Sequence, residues 1–264
     1  MVKDWMSLTT EDFSDLKGRD PLGILLVGSI EQHGPHLPVA TDSMIGEGLL
    51  ERSFEHVPTE NCIIKLPSLF VGSSPEHGDF PGTISYPPEI LVSMVVEIGR
   101  QVKTCGIRRL LVVNSHGGNS ASLDIASMKL RSEFQLLVVK VDYFRLARPK
   151  QIDFPDCEWS YGLHGGALET SMMLTLEPDL VKMGDLKNNT SWMEELAVKH
   201  RRLGKDRAVS LYWMASDLNE SGAVGDATLA SSEKGEVLVE YYSRCLSEVM
   251  MDVGEMDLTR LVDE

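Results

Sequence analysis

The sequence predicts an α/β fold built on a mostly parallel central sheet with helices on both faces. Three observations predict it. The apolar run Ile24-Leu25-Leu26-Val27, short and bounded by Gly, reads as a strand buried on both faces, and the runs Arg109 to Val113 and Leu136 to Val141 read as further strands. Loops and segments of helical spacing separate these runs, which is the order a parallel sheet requires. Acid and imidazole side chains crowd in directly after two of the runs, at the carboxyl ends of strands, where open α/β sheets bind their ligands.

The elements follow in order. Residues 1–20 read as a short helical lead-in that Thr9-Thr10-Glu11-Asp12 starts. A strand is expected at 23–29. Met44, Ile45, Leu49, Leu50 and Phe54 then give a helix near 43–55, and a second strand follows at 61–66. Residues 67–88 are irregular and rich in Gly, Pro and Ser; a loop this long inside a compact domain is usually functional. Ile90, Leu91, Met94, Val95, Ile98 and Val102 recur at helical spacing over 88–105, and Gly106 supplies the stop. A strand at 109–113, a helix carrying Leu123, Ala126 and Leu130, and a strand at 136–141 come next. Residues 145–163 read as irregular. Leu163-His164-Gly165-Gly166 opens a helix that Pro178 ends. Residues 179–230 hold a polar helix around 192–202 and a Gly-rich loop at 221–226, and a last helix runs over about 231–253. With no repeat, linker or low-complexity tract, residues 1–264 are expected to form one domain.

Composition narrows the function. The 264 residues are 42% hydrophobic and 25% charged, enough for a core without staples. A net charge of −15 argues against nucleic-acid or anionic-membrane binding through bulk electrostatics. Cys62, Cys105, Cys157 and Cys245 form no CxxC pair, so reduced thiols in a cytoplasmic protein are expected. The first residues, MVKDWMSLTTEDF, lack the apolar core of a signal peptide, and no window approaches the roughly 18 apolar residues of a membrane span.

Glu31, His33, His36 and Asp42 fall within twelve positions after the first buried strand. In extended backbone Glu31 and His33 face the same side and can reach one centre. Asp42 precedes a helix, where a carboxylate can cap the helix or bridge two cations. The right-handed crossover rule puts the loops after 29 and 113 on one edge of the sheet, so His116 can meet Glu31, His33 and Asp42. Glu169 follows His164 by five positions, and the two share a site only if Gly165-Gly166 lies at the helix start. Simpler readings stand beside these. Asp42 and His116 can be helix caps, Glu169 a helix-face carboxylate, and Met172-Met173 core packing.

The stretches Gly28 through Pro38 with Thr41-Asp42, Phe80-Pro81-Gly82-Thr83, Asn114 through Asn119, His164 through Ser171, and Gly222 through Gly235 occur in this order. Together they resemble the signature of the creatininase (creatinine amidohydrolase) family. The resemblance implies a three-layer α/β/α fold with a dinuclear centre of zinc, manganese or iron. It also implies Glu31, His33, Asp42, His116 and Glu169 as ligands with Asp42 bridging, His164 as the proton-transfer residue, and a homo-oligomer, often a hexamer. The chain departs from creatininase at three positions. Gly118 stands where that enzyme has an acid, Ser160 where it has a gating tryptophan, and Leu163 where it has an acid beside the active histidine.

Two cations roughly 3.5–4 Å apart can hold a hydroxide between them, and a mixed nitrogen and oxygen ligand set suits zinc, manganese or iron(II). The expected function is hydrolysis of a small cyclic amide, formamide or related C–N bond by that hydroxide. His164 would protonate the leaving nitrogen. His36, His77, Phe80 and Tyr161 are candidates to line the substrate pocket. The alternatives are creatinine amidohydrolase proper, a metal-bearing scaffold without activity, and an α/β binder cradling phosphate on Gly117-Gly118 and Gly165-Gly166. No GxGxxG or GxxxxGK[ST] stretch supports the last.

Overall fold

The computed structural model describes residues 1–16, 18–204 and 208–261. Among them, five parallel strands form the central sheet. Its spatial order is β1 (Val2–Asp4), β3 (Ile63–Lys65), β2 (Leu22–Val27), β4 (Arg109–Asn114) and β5 (Leu137–Asp142). Helices α1 (Thr10–Asp15), α2 (Thr41–Phe54), α3 (Pro88–Thr104) and α4 (Ser120–Phe134) connect or follow these strands. Beyond β5 come α5 (Asp156–Tyr161), α6 (Ala167–Leu176), α7 (Trp192–Lys199), α8 (Ala215–Leu218) and α9 (Ser232–Glu255).

The unbroken apolar runs are explained by two cores. Ile24, Leu26, Leu111 and Val113 point into a layer with Ile45 and Leu49 of α2, Met172 and Met173 of α6, and Leu238, Tyr242 and Leu246 of α9. Leu25, Val27, Leu110 and Val112 point the other way, onto Leu91 and Val95 of α3 and Leu123, Ala126 and Leu130 of α4. A strand whose every side chain is buried carries no period-two signal. β2 and β4 are neighbours with Val27 opposite Asn114, so the loops that leave their carboxyl ends start side by side.

The structure departs from expectation at some elements. Residues 2–4 form a strand, β1, paired with β3, where a helical lead-in is expected; α1 is real but short, held by a capping box between Thr9 and Asp12. α5 occupies part of the stretch expected to be irregular. The polar helix α7 ends at Lys199 rather than near 202. The Gly-rich loop runs into β7 (Gly225–Asp226), which pairs with β6 (Asn188–Asn189) in a small antiparallel ribbon. Just before the ribbon, the Val224 N–H donates to the His164 carbonyl at 2.8 Å.

α6 is held from outside by α9 at a close crossing. A Cβ on Gly235 would lie 1.9 Å from the Ser171 carbonyl oxygen. Gly235→Ala must therefore push the two helices apart. It is expected to cost about 1–3 kcal/mol of stability, read as a lower midpoint in urea unfolding. A midpoint equal to wild type would show that the crossing has slack.

Candidate metal centre

Each side chain of the centre comes from a loop or helix start at the carboxyl edge of the sheet. Glu31 and His33 lie on the turn after β2, Asp42 in the first turn of α2, Glu76 and His77 on the 67–88 loop, His116 after β4, and His164 and Glu169 around the start of α6. Gly166 is the N-cap of α6, so Gly165-Gly166 does lie at the helix start, as a shared site requires. Glu31, His33, Asp42, His77 and His116 are all buried.

Hydrogen bonds to main-chain carbonyls fix which imidazole nitrogen faces inward. A carbonyl oxygen only accepts, so the nitrogen beside it carries the hydrogen. His33 Nδ1 donates to the Glu31 carbonyl at 3.0 Å, which turns Nε2 toward Asp42 Oδ1 at 3.2 Å and Glu169 Oε2 at 3.8 Å. His116 Nε2 donates to the Ser73 carbonyl at 3.1 Å, which turns Nδ1 toward Asp42 Oδ2 at 3.0 Å. The two oxygens of Asp42 thus each face a different imidazole, and Ser29 Oγ also donates to Oδ2 at 2.7 Å.

This arrangement asks for positive charge. Burial alone would lower the pKa of His33, but Asp42 and then Glu169 and Glu31 overcome it and raise it to about 9. His116 is likewise raised against burial by Glu31 and Asp42. Burial would raise Asp42, yet His33 and His116 hold it well below the usual range. Glu169 and Glu76 are raised, burial first in each case, with neighbouring carboxylates adding to it. Both oxygens of Glu31 are buried without a hydrogen bond of good geometry, their neighbours being His116 Nε2 at 3.1 Å, His77 Nε2 at 3.4 Å and His164 Nδ1 at 3.5 Å. The trios Glu31–Asp42–His116, His33–His164–Glu169 and Glu31–His77–His164 each offer ligand atoms within 4.8 Å of one another. Buried carboxylates facing imidazole nitrogens fit a divalent cation with nitrogen and oxygen ligands.

Other expected site residues lie apart from these trios. His36 is buried against the start of α6, its Nε2 within 3.0 Å of the Gly165 carbonyl and 3.1 Å of Thr170 Oγ1. Tyr161 donates its hydroxyl to the Gly204 carbonyl at 3.1 Å, and Phe80 is half-buried on the loop after His77. Glu76 stands beside Gly118: a Cβ on Gly118 would meet Glu76 Oε1 and His116 Nε2, each at 2.4 Å.

The site also rests on residues that sequence reasoning gave no role. Asn119 ties three segments, accepting from Ser73 N at 2.8 Å and donating to the Gly28 carbonyl at 2.9 Å and to Asn114 Oδ1 at 3.3 Å. It thereby places the Ser73 carbonyl under His116. Glu158 accepts from Ala167 N at 2.6 Å and Asp226 N at 2.7 Å, joining the start of α6 to β7. The signal available for Glu76 was its place next to His77 in a long Gly-rich loop.

The creatininase family model, described as creatinine amidohydrolase, matches residues 6–250. The mycofactocin precursor peptide peptidase of Mycolicibacterium smegmatis is 31% identical, over 92% of this chain and 90% of its own. The chain belongs to the creatininase family. The creatinine amidohydrolase of Pseudomonas putida is 28% identical, over 82% of this chain and 84% of its own. Among solved structures, a manganese creatininase superposes with a TM-score of 0.74 at 25% identity, covering 97% of this chain and 100% of that one. A mutant creatininase of zinc–zinc type superposes with a TM-score of 0.75 at 24% identity, covering 96% and 98%. The parallel sheet with helices on both faces is the fold of these creatininases. No helix among the described residues is long and apolar enough to cross a membrane.

Two outcomes follow from the geometry. Gly118→Ala forces a methyl group against both Glu76 and His116, and is expected to weaken zinc affinity by about 10–100-fold, the range for disturbing a ligand's support. Competition with a chromogenic chelator measures it, and wild-type affinity would mean that the space is not tight. The second outcome concerns protons. In the metal-free chain His33 holds its proton up to about pH 9, whereas a ligating imidazole must be neutral, so metal uptake below that pH expels protons. Calorimetric zinc titrations at about pH 7 in buffers of different ionisation enthalpy are expected to show this release, and to show it shrink as pH rises. Uptake without proton release would show that His33 is already neutral.

Proposed function

We propose that this creatininase-family chain is an amidohydrolase that works with two divalent transition-metal ions of zinc, manganese or iron. The observation that supports it most is the placement of Asp42, one oxygen toward His33 and the other toward His116. In this reading Glu31, Asp42 and His116 would hold one ion, and His33, Asp42 and Glu169 would hold the other. When bound, such a pair lowers the pKa of water toward neutrality and polarises a carbonyl.

The chain's own residues do the rest. His164 lies beside both trios, with its ring 4.0 Å from His33 and its Nδ1 3.5 Å from Glu31 Oε1. Burial, then His33 and His77, push its pKa well down, so it stands neutral. It is the residue for moving a proton to the leaving nitrogen. His77, Phe80, Tyr161 and His36 are the candidates for contact with substrate or for shaping its pocket. A cytoplasmic homo-oligomer is the setting that the resemblance and the composition suggest.

The substrate proposed is a small cyclic amide, formamide or related C–N bond rather than creatinine. Gly118, Ser160 and Leu163 lack the acid, indole and acid of creatininase, and Leu163 is 55% exposed. The relative named as a peptide peptidase brings linear amides into the range to be assayed.

One experiment tests this. Metal analysis of chain purified without chelator is coupled to hydrolysis assays with creatinine, N-formyl aminopyrimidines, lactams and short peptides. About two equivalents of metal and turnover of an amide or formamide are expected. Asp42→Ala should lose both equivalents, and His164→Gln should keep metal while losing about 10²–10⁴-fold in kcat. A metal-replete wild type that binds no transition metal would end the dinuclear reading. Efficient creatinine turnover would end the specificity reading.

A further inference from the structure

Gln32 sits between two of the residues assigned to the centre and is itself buried. Its carboxamide has a fixed orientation. Oε1 accepts from Gly34 N at 2.9 Å, and Nε2 donates to the Gly222 carbonyl at 2.8 Å. These partners have opposite polarity, so the amide cannot be turned over without setting donor against donor and acceptor against acceptor. A Cβ on Gly222 would lie 2.5 Å from Gln32 Oε1, which shows how closely that loop is laid against the amide.

Consequences follow for two histidines. The second hydrogen on Gln32 Nε2 points to His77 Nδ1 at 2.8 Å. His77 Nδ1 must therefore accept, and the ring's hydrogen sits on Nε2, which faces Glu31 Oε1 at 3.4 Å. The main-chain carbonyl of Gln32 lies 2.5 Å from His164 Nε2. That nitrogen must therefore donate, and Nδ1 is left as the lone pair that faces Glu31 Oε1 at 3.5 Å. The 3.2 Å approach of Gln32 Nε2 to His164 Nε2 is then a contact between two donors, with the hydrogens of both directed elsewhere. The rings of His77 and His164 are neighbours, their centroids 4.3 Å apart and their planes tilted by 31°.

We propose that Gln32 is a positioning residue that sorts this neighbouring pair, making His77 a hydrogen-bond donor toward the centre and His164 a proton acceptor. The assignment rests on the hydrolase reading for its chemical use, but the sorting itself does not. In that use His164 Nδ1 takes a proton from the attacking water as the water oxygen bonds to the carbonyl carbon. The same proton passes to the leaving nitrogen as the C–N bond breaks. His77 keeps its proton and donates its N–H to the oxygen on which negative charge builds, where such a donor lowers the barrier. One amide thus divides two like side chains into unlike roles, one through its side chain and the other through its backbone.

The test is imidazole nitrogen NMR on uniformly ¹⁵N-labelled chain, metal-free and zinc-loaded, above the range where imidazole titrates. Signals are assigned with His77→Asn and His164→Asn. In wild type both rings are expected to carry hydrogen on Nε2. Gln32→Glu replaces the donor by an acceptor of the same shape, so His77 is expected to move its hydrogen to Nδ1 while His164, held by the backbone, is unchanged. Gln32→Met removes the donor without adding charge and should release the preference of His77. On any amide or formamide that the wild type hydrolyses, Gln32→Glu is expected to keep zinc content and lose about 10²-fold or more in kcat. Hydrogen on Nδ1 of His77 in wild type, or a His77 tautomer that ignores Gln32→Glu, overturns the sorting; the wild-type spectrum decides even if a variant does not fold. A switched tautomer with unchanged kcat overturns the assigned use. The tautomers are read without turnover, so loss of the hydrolase reading and loss of this one are separate results.

Discussion

One buried carboxylate meeting two imidazoles is the interaction on which the rest of the molecule depends. Asp42 is 2% exposed. An ionised group so placed costs several kcal/mol unless it is paired and hydrogen-bonded, and His33, His116 and Ser29 supply that pairing. Much of the fold's order serves to bring them together. β2 and β4 must be neighbours, so that the turn carrying His33 and the loop carrying His116 start from the same edge. α2 must begin where the β2 turn ends, so that the first-turn Asp42 reaches both. α6 must start at a glycine, so that Glu169 comes up beside His33 from the far side.

What was legible in the sequence follows from where each element gets its stability. β2 and β4 announce themselves because burial on both faces selects an unbroken apolar run. β1 does not, because its three residues take their place by pairing with β3, some sixty positions away. α5 has a proline as its N-cap and runs six residues, too short for helical spacing to show. In the centre, Glu31, His33, Asp42 and His116 could be read because ligand-type residues crowd against strand ends. The place of Glu76 beside Gly118 could not, because it comes from a loop with no periodicity, and only the space missing beside Gly118 reveals it. Gln32 carries neither charge nor a common catalytic group, and its part is visible only through Gly34 and Gly222, the latter nearly two hundred positions distant.

The loops that form the centre are bound to one another by polar side chains rather than by an apolar core. Asn119 joins the β4 loop to Gly28 and to the long loop at Ser73. Glu158 joins α5, α6 and β7. Buried groups of this kind contribute little net stability, but leaving one unpaired is expensive, so they select one arrangement sharply. A centre that must hold several ligand atoms within a few ångströms needs that selectivity more than it needs binding strength.

Four of the imidazoles, His33, His36, His116 and His164, keep one nitrogen against a main-chain carbonyl, those of Glu31, Gly165, Ser73 and Gln32. A carbonyl is present whatever side chain its residue bears. Substitutions drifting through these loops can therefore recast the walls of the pocket while the inner ring geometry is inherited intact. That separates heredity of the chemistry from heredity of the specificity. It gives a physical reason why chains about 30% identical, named for a peptide in one case and for creatinine in another, can share one scaffold.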